Sequence, residues 1–347
     1  MKHLLVTSVH RIAAGQSGQA GHLRRLAAAL RAGGERVTVL DGPMDPGVPP
    51  ADRAALRALH RRLDDLIERD RPDAALLWGH LGEETPLARS LRAAGVPLLL
   101  EHPAADLLPV PATVALADRV VVPSRFAQRL FTAQTGRDAQ PIEPLLRPCT
   151  CPPGDPAPAR RRGPYRLTFV NPEPAKGLAV VLRLVKASAQ AGLPFRFRFV
   201  EGRWTAAELA GCGIAPGDLP NVEIVGYRTD VCSWYADTDL LLAPSLWQES
   251  FGMVAREATV HGIPVVATRV GGLPEAVGAG GVCLEPPECV DGYQVRMTGA
   301  EVRVWLEAIV AGLRRGRRPE PGLLSRGAAE SLRSYRTLLG LPAAPAM

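Results

Sequence analysis

Two glutamates, Glu249 and Glu257, bracket seven residues in the stretch ESFGMVARE. The apolar run DLLLAPS before them is typical of a buried strand that ends at Ser245, and a helix is predicted to begin near Phe251 and Gly252. The N-terminus of a helix offers backbone N–H groups and the positive end of the helix dipole, which together suit a phosphate. Gly252 would let that phosphate approach the backbone closely.

The two carboxylates suit the two ends of a nucleotide sugar. Glu249, in the loop, could accept hydrogen bonds from sugar hydroxyls, and Glu257, about two helical turns further on, could accept two from a ribose diol. The segment between them, Ser250, Phe251, Gly252, Met253 and Val254, would then lie beside the diphosphate. A glycosidase pair would instead have to flank one glycosidic bond. The alternative is that both glutamates are solvated charges and the glycines are ordinary turns.

Strand and helix patterns alternate along both halves of the chain, which predicts an α/β fold with two Rossmann-like, doubly wound domains. The alternation breaks at RPCTCPPGDPAPARRRGP, which is rich in Pro and Arg and predicts a linker. The predicted divisions are an N-terminal domain at 1–147, the linker at 148–164, a C-terminal domain at 165–318 and a closing helical segment at 319–347 that returns to the N-terminal domain. Ligands of such sheets bind beyond the carboxyl ends of the strands.

Composition narrows the function classes. The formal net charge of +6 comes mostly from Arg, because Lys occurs only at Lys2, Lys176 and Lys186. This balance indicates either a solvated surface or affinity for anions, and no basic patch with interleaved aromatic residues indicates nucleic acid. The six cysteines contain no CxxC pair and are interpreted as reduced thiols. No run is long enough for a membrane span or a signal peptide, so a cytoplasmic protein is expected.

The spaced glutamates, followed by GIPVVATRVGGLPE, resemble family 4 of the retaining glycosyltransferases. The resemblance implies a GT-B fold, in which two Rossmann-like domains face each other across a cleft, and transfer from a nucleoside-diphosphate sugar. Lys176 in NPEPAKGL matches the family lysine that contacts the donor diphosphate. Asn171 stands five residues earlier, where the family has an arginine, and an amide brings a hydrogen-bond donor without a charge.

The resemblance extends to the N-terminal half. Gly18 in SGQAGHLRRLAAAL matches a glycine of the loop that faces the donor phosphate, while Ser17 stands where a second glycine is usual. His102, at the end of VPLLLEH, matches the active-site histidine near the transferred sugar, and His80 is a weaker match. In GYR at 226–228, Tyr227 and Arg228 match the segment beside the nucleobase.

These matches imply a UDP- or GDP-sugar donor, a small-molecule acceptor, retention of configuration and catalysis without a metal or cofactor. His102, Lys176 and Glu249 would be the catalytic residues. Asp237 and Asp239 are spaced like a D-x-D metal-binding motif, but they stand at the start of a predicted strand.

The alternative functions are a relative with an unusual acceptor or chemistry, such as donor hydrolysis, a lipid-acceptor enzyme with membrane contact, and a scaffold that binds a nucleotide sugar without turnover. The sequence does not indicate the base, the sugar or the oligomeric state.

Overall fold

The computed structural model describes residues 1–12, 18–44, 53–79, 82–103, 108–146, 164–211, 219–226, 235–318 and 323–342. The chain divides into two compact units, described separately below. The first comprises Met1–Arg147 and Leu324–Met347, and the second Pro148–Leu323. The predicted linker at 148–164 lies outside the described residues except for Pro164.

The first unit is built on a six-stranded parallel sheet with the order β2-β1-β3-β4-β5-β6. Its strands are β1 (His3–His10), β2 (Arg36–Met44), β3 (Ala74–Trp78), β4 (Leu98–Glu101), β5 (Arg119–Val122) and β6 (Gln140–Pro141). Alternate residues of β1 enter two different hydrophobic clusters, Leu5 and Val9 in one and Leu4 and Val6 in the other. Both faces of this sheet are therefore covered, as a parallel sheet requires.

Helices connect these strands: α1 (Gly18–Ala32), α2 (Arg53–Asp70), α3 (Thr85–Ala93), α4 (Pro111–Leu116) and α5 (Arg125–Thr135). Helix α1 buries Leu23, Leu26 and Leu30 at helical spacing. Helix α5 begins where the Ser124 hydroxyl accepts the Ala127 N–H, and it ends at Gly136, whose φ is 69°. A hydroxyl at the start and a left-handed glycine at the end are the ordinary signals that bound a helix.

The second unit has a six-stranded parallel sheet with the order β12-β11-β10-β7-β8-β9. Its strands are β7 (Tyr165–Val170), β8 (Phe195–Val200), β9 (Val222–Val225), β10 (Leu240–Ala243), β11 (Val265–Thr268) and β12 (Gly281–Leu284). An antiparallel hairpin of β13 (Glu288–Asp291) and β14 (Gln294–Arg296) follows. Because β7 lies between β10 and β8, the segments that leave these three strands emerge side by side at one edge.

The helices of this unit are α6 (Leu178–Gln190), α7 (Ala206–Gly211), α8 (Met253–Val260), α9 (Leu273–Val277) and α10 (Gly299–Arg315), with short 3₁₀ turns at Pro174–Lys176 and Gly278–Gly280. Leu240 and Leu242 enter one hydrophobic cluster and Leu241 the other, so this sheet is also covered on both faces. The prediction of two doubly wound α/β sheets is confirmed.

The last helix, α11 (Leu323–Leu338), contributes buried side chains to the first unit. The Tyr335 hydroxyl donates to Glu101 Oε2 at 3.0 Å, and His22 Nε2 lies 3.3 Å from Glu101 Oε1. The Leu145 N–H donates to His22 Nδ1 at 2.8 Å, which leaves Nε2 to carry the proton toward Glu101. Arg336 forms a second buried bond, to Glu35 Oε1 at 3.1 Å. These bonds fix α11 to α1, to β4 and to the turn that precedes β2.

The β13–β14 hairpin and the six-residue helices α4 and α7 are elements that the sequence patterns do not predict. Each is shorter than the stretch over which a hydrophobic period can be recognised. In the parts of the chain that the structure describes, no helix has both the length and the apolar character that crossing a membrane requires.

Candidate functional site

Lys176 and Glu249, both predicted catalytic residues, meet at the carboxyl edge of the second sheet. Lys176 ends the 3₁₀ turn that follows β7, and Glu249 lies in the loop that follows β10. Since β7 and β10 are paired, these two segments leave the sheet next to each other. Lys176 Nζ donates to Glu249 Oε1 at 2.5 Å, and the side chains are 23% and 15% exposed, respectively. The positive charge of Lys176 is thus balanced locally by Glu249.

Two further side chains hold this ion pair. The Ser245 hydroxyl lies 2.9 Å from Glu249 Oε1, and the Trp247 ring packs under Lys176, with Nζ 4.6 Å from the ring centroid. Burial opposes the ionisation of Glu249, but the Lys176 charge and the hydrogen bonds outweigh it, so the pKa of Glu249 lies below its ordinary value. Glu249 is therefore an anion at neutral pH. The sequence did not single out Trp247 or Ser245 as site residues.

The predicted phosphate-binding segment starts helix α8. Gly252 precedes the helix with a φ of 104°, and as a glycine it has no side chain that could cap this helix end. A Cβ at Gly252 would come within 2.6 Å of Leu273 Cδ2, so only glycine fits this position without adjustment. Phe251 is buried in the core, while Ser250, Met253 and Val254 are half-buried. The first turn of α8 thus lies at the same edge as Lys176 and Glu249.

Gly271 and Gly272, from the GGLPE stretch, support this loop from the other side. A Cβ on Gly271 would come within 2.2 Å of the Glu249 carbonyl oxygen, and a Cβ on Gly272 would come within 2.6 Å of the Ser250 carbonyl oxygen. The Gly272 N–H also donates to the Glu249 carbonyl at 2.7 Å. The glycine pair therefore allows the backbone contact that shapes the Glu249 loop. The sequence pattern did not predict this contact.

Glu257 lies on α8 and is 7% exposed. The Tyr235 hydroxyl lies 3.1 Å from Glu257 Oε2, and the His261 ring stacks on Tyr235 with centroids 5.1 Å apart. Glu257 is therefore oriented by a buried tyrosine that the sequence did not indicate. The structure places Glu257 on the same loop–helix unit as Glu249 but gives it different hydrogen-bond partners, and the separate roles of the two carboxylates stay a prediction.

Asn171 is the one residue other than glycine with a positive φ, 57°, in the described parts of the chain. Asparagine tolerates this left-handed conformation better than arginine does. Its Oδ1 accepts the backbone N–H of Trp204 at 3.2 Å. The sequence suggests that the Asn171 amide donates to a diphosphate, and this stays a prediction. In the structure the amide oxygen supports a neighbouring turn, which gives the replacement of arginine a local structural reason.

His102 belongs to the first unit. It follows β4, is 4% exposed, and its backbone N–H donates to the Val121 carbonyl at 2.9 Å. With Gly79, Glu84 and Thr113 it lines a small pocket beyond the carboxyl ends of β3 and β4. Position at a strand end is the property expected of a ligand-binding residue in this fold.

The remaining predicted residues are placed as follows. Gly18 is the first residue of α1, whereas the sequence puts it in a loop. Tyr227 and Arg228, together with the weaker candidates Ser17 and His80, lie outside the described residues.

The two aspartates of the DTD stretch contact arginines of strands β7 and β8. Asp237 pairs with Arg166 and Arg198, and Asp239 Oδ2 accepts the backbone N–H of Arg166 at 2.7 Å. Within the described ranges no cluster of three His, Cys, Asp or Glu side chains could hold a metal ion.

Solved structures with the same fold cover nearly the whole chain. The Rickettsia africae glycosyltransferase superposes with a TM-score of 0.66 at 13% identity, over 97% of this chain and 99% of that one. HepE of Anabaena in complex with UDP-glucose gives 0.61 at 18% identity, over 97% and 98%. The catalytic domain of Arabidopsis thaliana starch synthase IV, bound to ADP and acarbose, gives 0.67 at 11% identity, over 98% and 99%. The fold is the GT-B fold of glycosyltransferases.

The family comparison is more specific. Residues 165–298 match the model of the family described as "Glycosyl transferases group 1". D-inositol 3-phosphate glycosyltransferase of Mycobacterium marinum is 41% identical over 108 residues, which are 31% of this chain and 21% of that relative. The chain thus matches about a fifth of the length of this relative. The resemblance to family 4 glycosyltransferases is confirmed, and its strongest support lies in the unit that contains Lys176 and Glu249.

Proposed function

We propose that this protein is a glycosyltransferase that moves a sugar from a nucleoside-diphosphate sugar to a small-molecule acceptor. The observation that carries the proposal is the Lys176–Glu249 pair beside the glycine that starts α8, within the residues that match the group 1 glycosyltransferase model. A nucleotide sugar needs positive charge near its diphosphate, N–H groups for the phosphate oxygens and an acceptor for the sugar hydroxyls. Lys176, the backbone amides of α8 and the Glu249 carboxylate provide these three groups at one edge of the sheet.

The leaving group sets the chemistry. As the bond to the anomeric carbon breaks, negative charge grows on the leaving phosphate, and Lys176 and the first amides of α8 would stabilise it. The sugar passes through an oxocarbenium-like state. Glu249, held as an anion, would accept hydrogen bonds from the sugar hydroxyls, and Glu257 would accept those of the ribose. We propose that transfer retains the anomeric configuration, that His102 orients the sugar and that no metal is required.

The donor and acceptor classes are proposed from the relatives. HepE was solved with UDP-glucose, which supports a UDP-sugar, and starch synthase IV was solved with ADP. We propose a UDP-sugar for this chain or, from the sequence resemblance, a GDP-sugar. The mycobacterial relatives are named for an inositol phosphate acceptor, which supports a small polar acceptor. A cytoplasmic location fits such substrates.

A scaffold that binds a nucleotide sugar without turnover is the second candidate. One observation favours it: Glu249 balances the charge of Lys176, and Asn171 adds no positive charge. Less positive charge is then left to stabilise a leaving phosphate.

The first test is thermal stability against UDP, GDP, ADP and dTDP, each free and sugar-linked. A ligand at about 100 times its Kd adds about 2.7 kcal/mol of stability. We expect a shift of the Tm with one base, and its loss in Glu257→Gln but not in Glu285→Gln, a glutamate that is 78% exposed. The absence of any shift in the wild type would contradict a nucleotide-sugar donor.

Turnover separates the enzyme from the scaffold. Lys176→Ala should reduce the release of nucleoside diphosphate about 10²–10³-fold, the usual effect of removing one group that stabilises developing negative charge. Lys186→Ala is the matched control, because Lys186 is an exposed lysine of α6 in the same unit. Wild-type binding without release of nucleoside diphosphate in the presence of acceptors would favour the scaffold, and equal turnover in both variants would remove Lys176 from the mechanism.

A further inference from the structure

The turn after β8 lies against the segment that presents Lys176. Strand β8 pairs with β7 in parallel, with Val200 opposite Val170, so residues 201–204 and 171–176 leave the sheet together. The Asn171 N–H donates to the Val200 carbonyl at 2.8 Å. These two segments therefore form adjacent walls at the carboxyl edge of the sheet.

Asn171 shapes the neighbouring turn. Its Oδ1 accepts the Trp204 N–H at 3.2 Å, and a Cβ on Gly202 would come within 2.7 Å of that same oxygen. The Gly202 N–H closes the turn on the Trp204 carbonyl at 3.2 Å. Arg203, between Gly202 and Trp204, is therefore carried by a turn whose backbone is fixed on both sides.

The Arg203 guanidinium pairs with a residue of the turn that carries Lys176. It bonds Glu173 Oε1 at 2.9 Å, and Glu173 starts the 3₁₀ turn in which the Lys176 N–H donates to the Glu173 carbonyl at 3.0 Å. Glu173 is almost buried, at 8% of its side chain, whereas Arg203 is 56% exposed. The buried carboxylate thus holds an exposed guanidinium one side chain away from the turn that carries Lys176.

Hydrogen-bond donors explain what Arg203 could add at this edge. Lys176 is paired with Glu249 at 2.5 Å and Arg203 with Glu173 at 2.9 Å, so each cation is balanced by its own carboxylate. A guanidinium has five N–H donors in a planar fork that matches phosphate oxygens, so a contact with Glu173 leaves it able to bind a second anion.

We propose that Arg203 binds the donor diphosphate with the guanidinium N–H donors that its contact with Glu173 does not use. This inference rests on the proposed function. On this account the guanidinium has moved from the end of β7 to the turn after β8, and Asn171 has become the residue that fixes that turn.

The test is the Kd of the nucleoside diphosphate selected by the thermal panel, and of the matching monophosphate, by titration calorimetry. Arg203→Ala should bind the diphosphate about tenfold more weakly, the usual order for one charge-assisted hydrogen bond. The monophosphate should be affected less, and Arg203→Lys should recover part of the loss. Arg296→Ala is the control, since Arg296 is 68% exposed and pairs with Glu288 at 3.0 Å on the β13–β14 hairpin.

Glu173→Gln distinguishes binding from a structural role. If Arg203 binds phosphate, this variant keeps or tightens diphosphate binding, because the guanidinium is released from its partner. If the ion pair only supports the turn, Glu173→Gln and Arg203→Ala weaken binding alike, and the inference is overturned. Equal Kd values for Arg203→Ala and Arg296→Ala also overturn it and leave the proposed function intact. A wild type that binds none of the four diphosphates overturns both.

Discussion

At the scale of single residues, the Lys176–Glu249 ion pair sets the charge of the candidate site. Neither residue is fully exposed, and Ser245 and Trp247 surround the pair. A partly buried pair interacts more strongly than a surface pair because solvent screens it less. The Glu249 carboxylate is therefore held in one orientation by Lys176 and Ser245.

The lowered pKa of Glu249 predicts a pH-dependent stability. The carboxylate binds its proton more weakly in the folded state, so its contribution is complete above the ordinary pKa near 4.5 and is lost as pH falls through the lower folded value. In denaturant titrations between pH 6 and pH 3, the wild type should lose stability more steeply than Glu249→Gln. Glu285→Gln, at an exposed site, should follow the wild type. Parallel curves for all three proteins would show that the Glu249 pKa is not lowered.

Tyr235 should control the recognition of ribose, if Glu257 binds it as proposed. Tyr235→Phe removes the hydroxyl 3.1 Å from Glu257 Oε2 without changing the ring that packs on His261. The preference for the ribonucleotide over its 2′-deoxy form should fall about three- to tenfold, the worth of about one hydrogen bond. The 2′-deoxynucleotide is the internal comparison: it keeps only the 3′-hydroxyl, so its affinity should fall less than that of the ribonucleotide. A uniform loss for both ligands would indicate a general packing defect instead.

Sequence reasoning singled out Lys176 because lysine is rare in this chain, and Glu249 and Glu257 because of their spacing; the structure places Lys176 against Glu249. Sequence reasoning did not identify Tyr235 or Trp247, because each acts through a contact between segments that only the fold brings together. Tyr235 stands 22 positions before Glu257, and no local period links the two. Asn171 was noticed as a departure from the family, but its left-handed φ and its bond to Trp204 are visible only in three dimensions.

At the scale of elements, the site depends on how helix α8 begins. Gly252, with a φ of 104°, turns the chain from the Glu249 loop into the helix, and the glycines at 271 and 272 let a second turn press against that loop. Alternating strand and helix patterns predicted these elements. The order of the strands within each sheet was not predicted, because it depends on packing between distant segments.

Gly252→Ala should destabilise the second unit by about 1–3 kcal/mol, the usual cost of a side chain in a disfavoured backbone region. The added methyl group would also meet Leu273. Gly299→Ala is the control, because Gly299 is the first residue of α10 and a Cβ there has nothing within 4 Å. Urea denaturation measures both. Equal stability in the two variants would mean that the loop–helix junction relaxes without strain.

At the scale of the whole molecule, the chain leaves the first unit near residue 147 and returns to it after residue 323. The returning helix, α11, is fastened by buried polar groups, with Tyr335 on Glu101 and Arg336 on Glu35. Glu101 directly precedes His102, so the same bonds that hold the last helix also fix the strand end that carries the candidate histidine.

Tyr335→Phe should destabilise the first unit by about 1–3 kcal/mol, since Glu101 and His22 lose a buried partner. Burial and the neighbouring Glu101 raise the pKa of Tyr335 well above 10. The folded state therefore keeps a proton that the unfolded chain releases, and wild-type stability should fall as pH rises above about 10. Tyr335→Phe should lose less stability over that range, whereas Tyr293→Phe, at an exposed hairpin position, should behave like the wild type. Identical alkaline profiles would contradict the raised pKa.

The discontinuous first unit also has a consequence for biosynthesis. A nascent chain that has emerged through residue 323 already contains every strand of the second unit, but it lacks Tyr335 and Arg336, the buried partners of Glu101 and Glu35. The second unit can therefore finish folding on the ribosome before helix α11, which completes the first unit, has been released. Ribosome-bound chains arrested before and after α11 should differ in the protease resistance of the first unit alone.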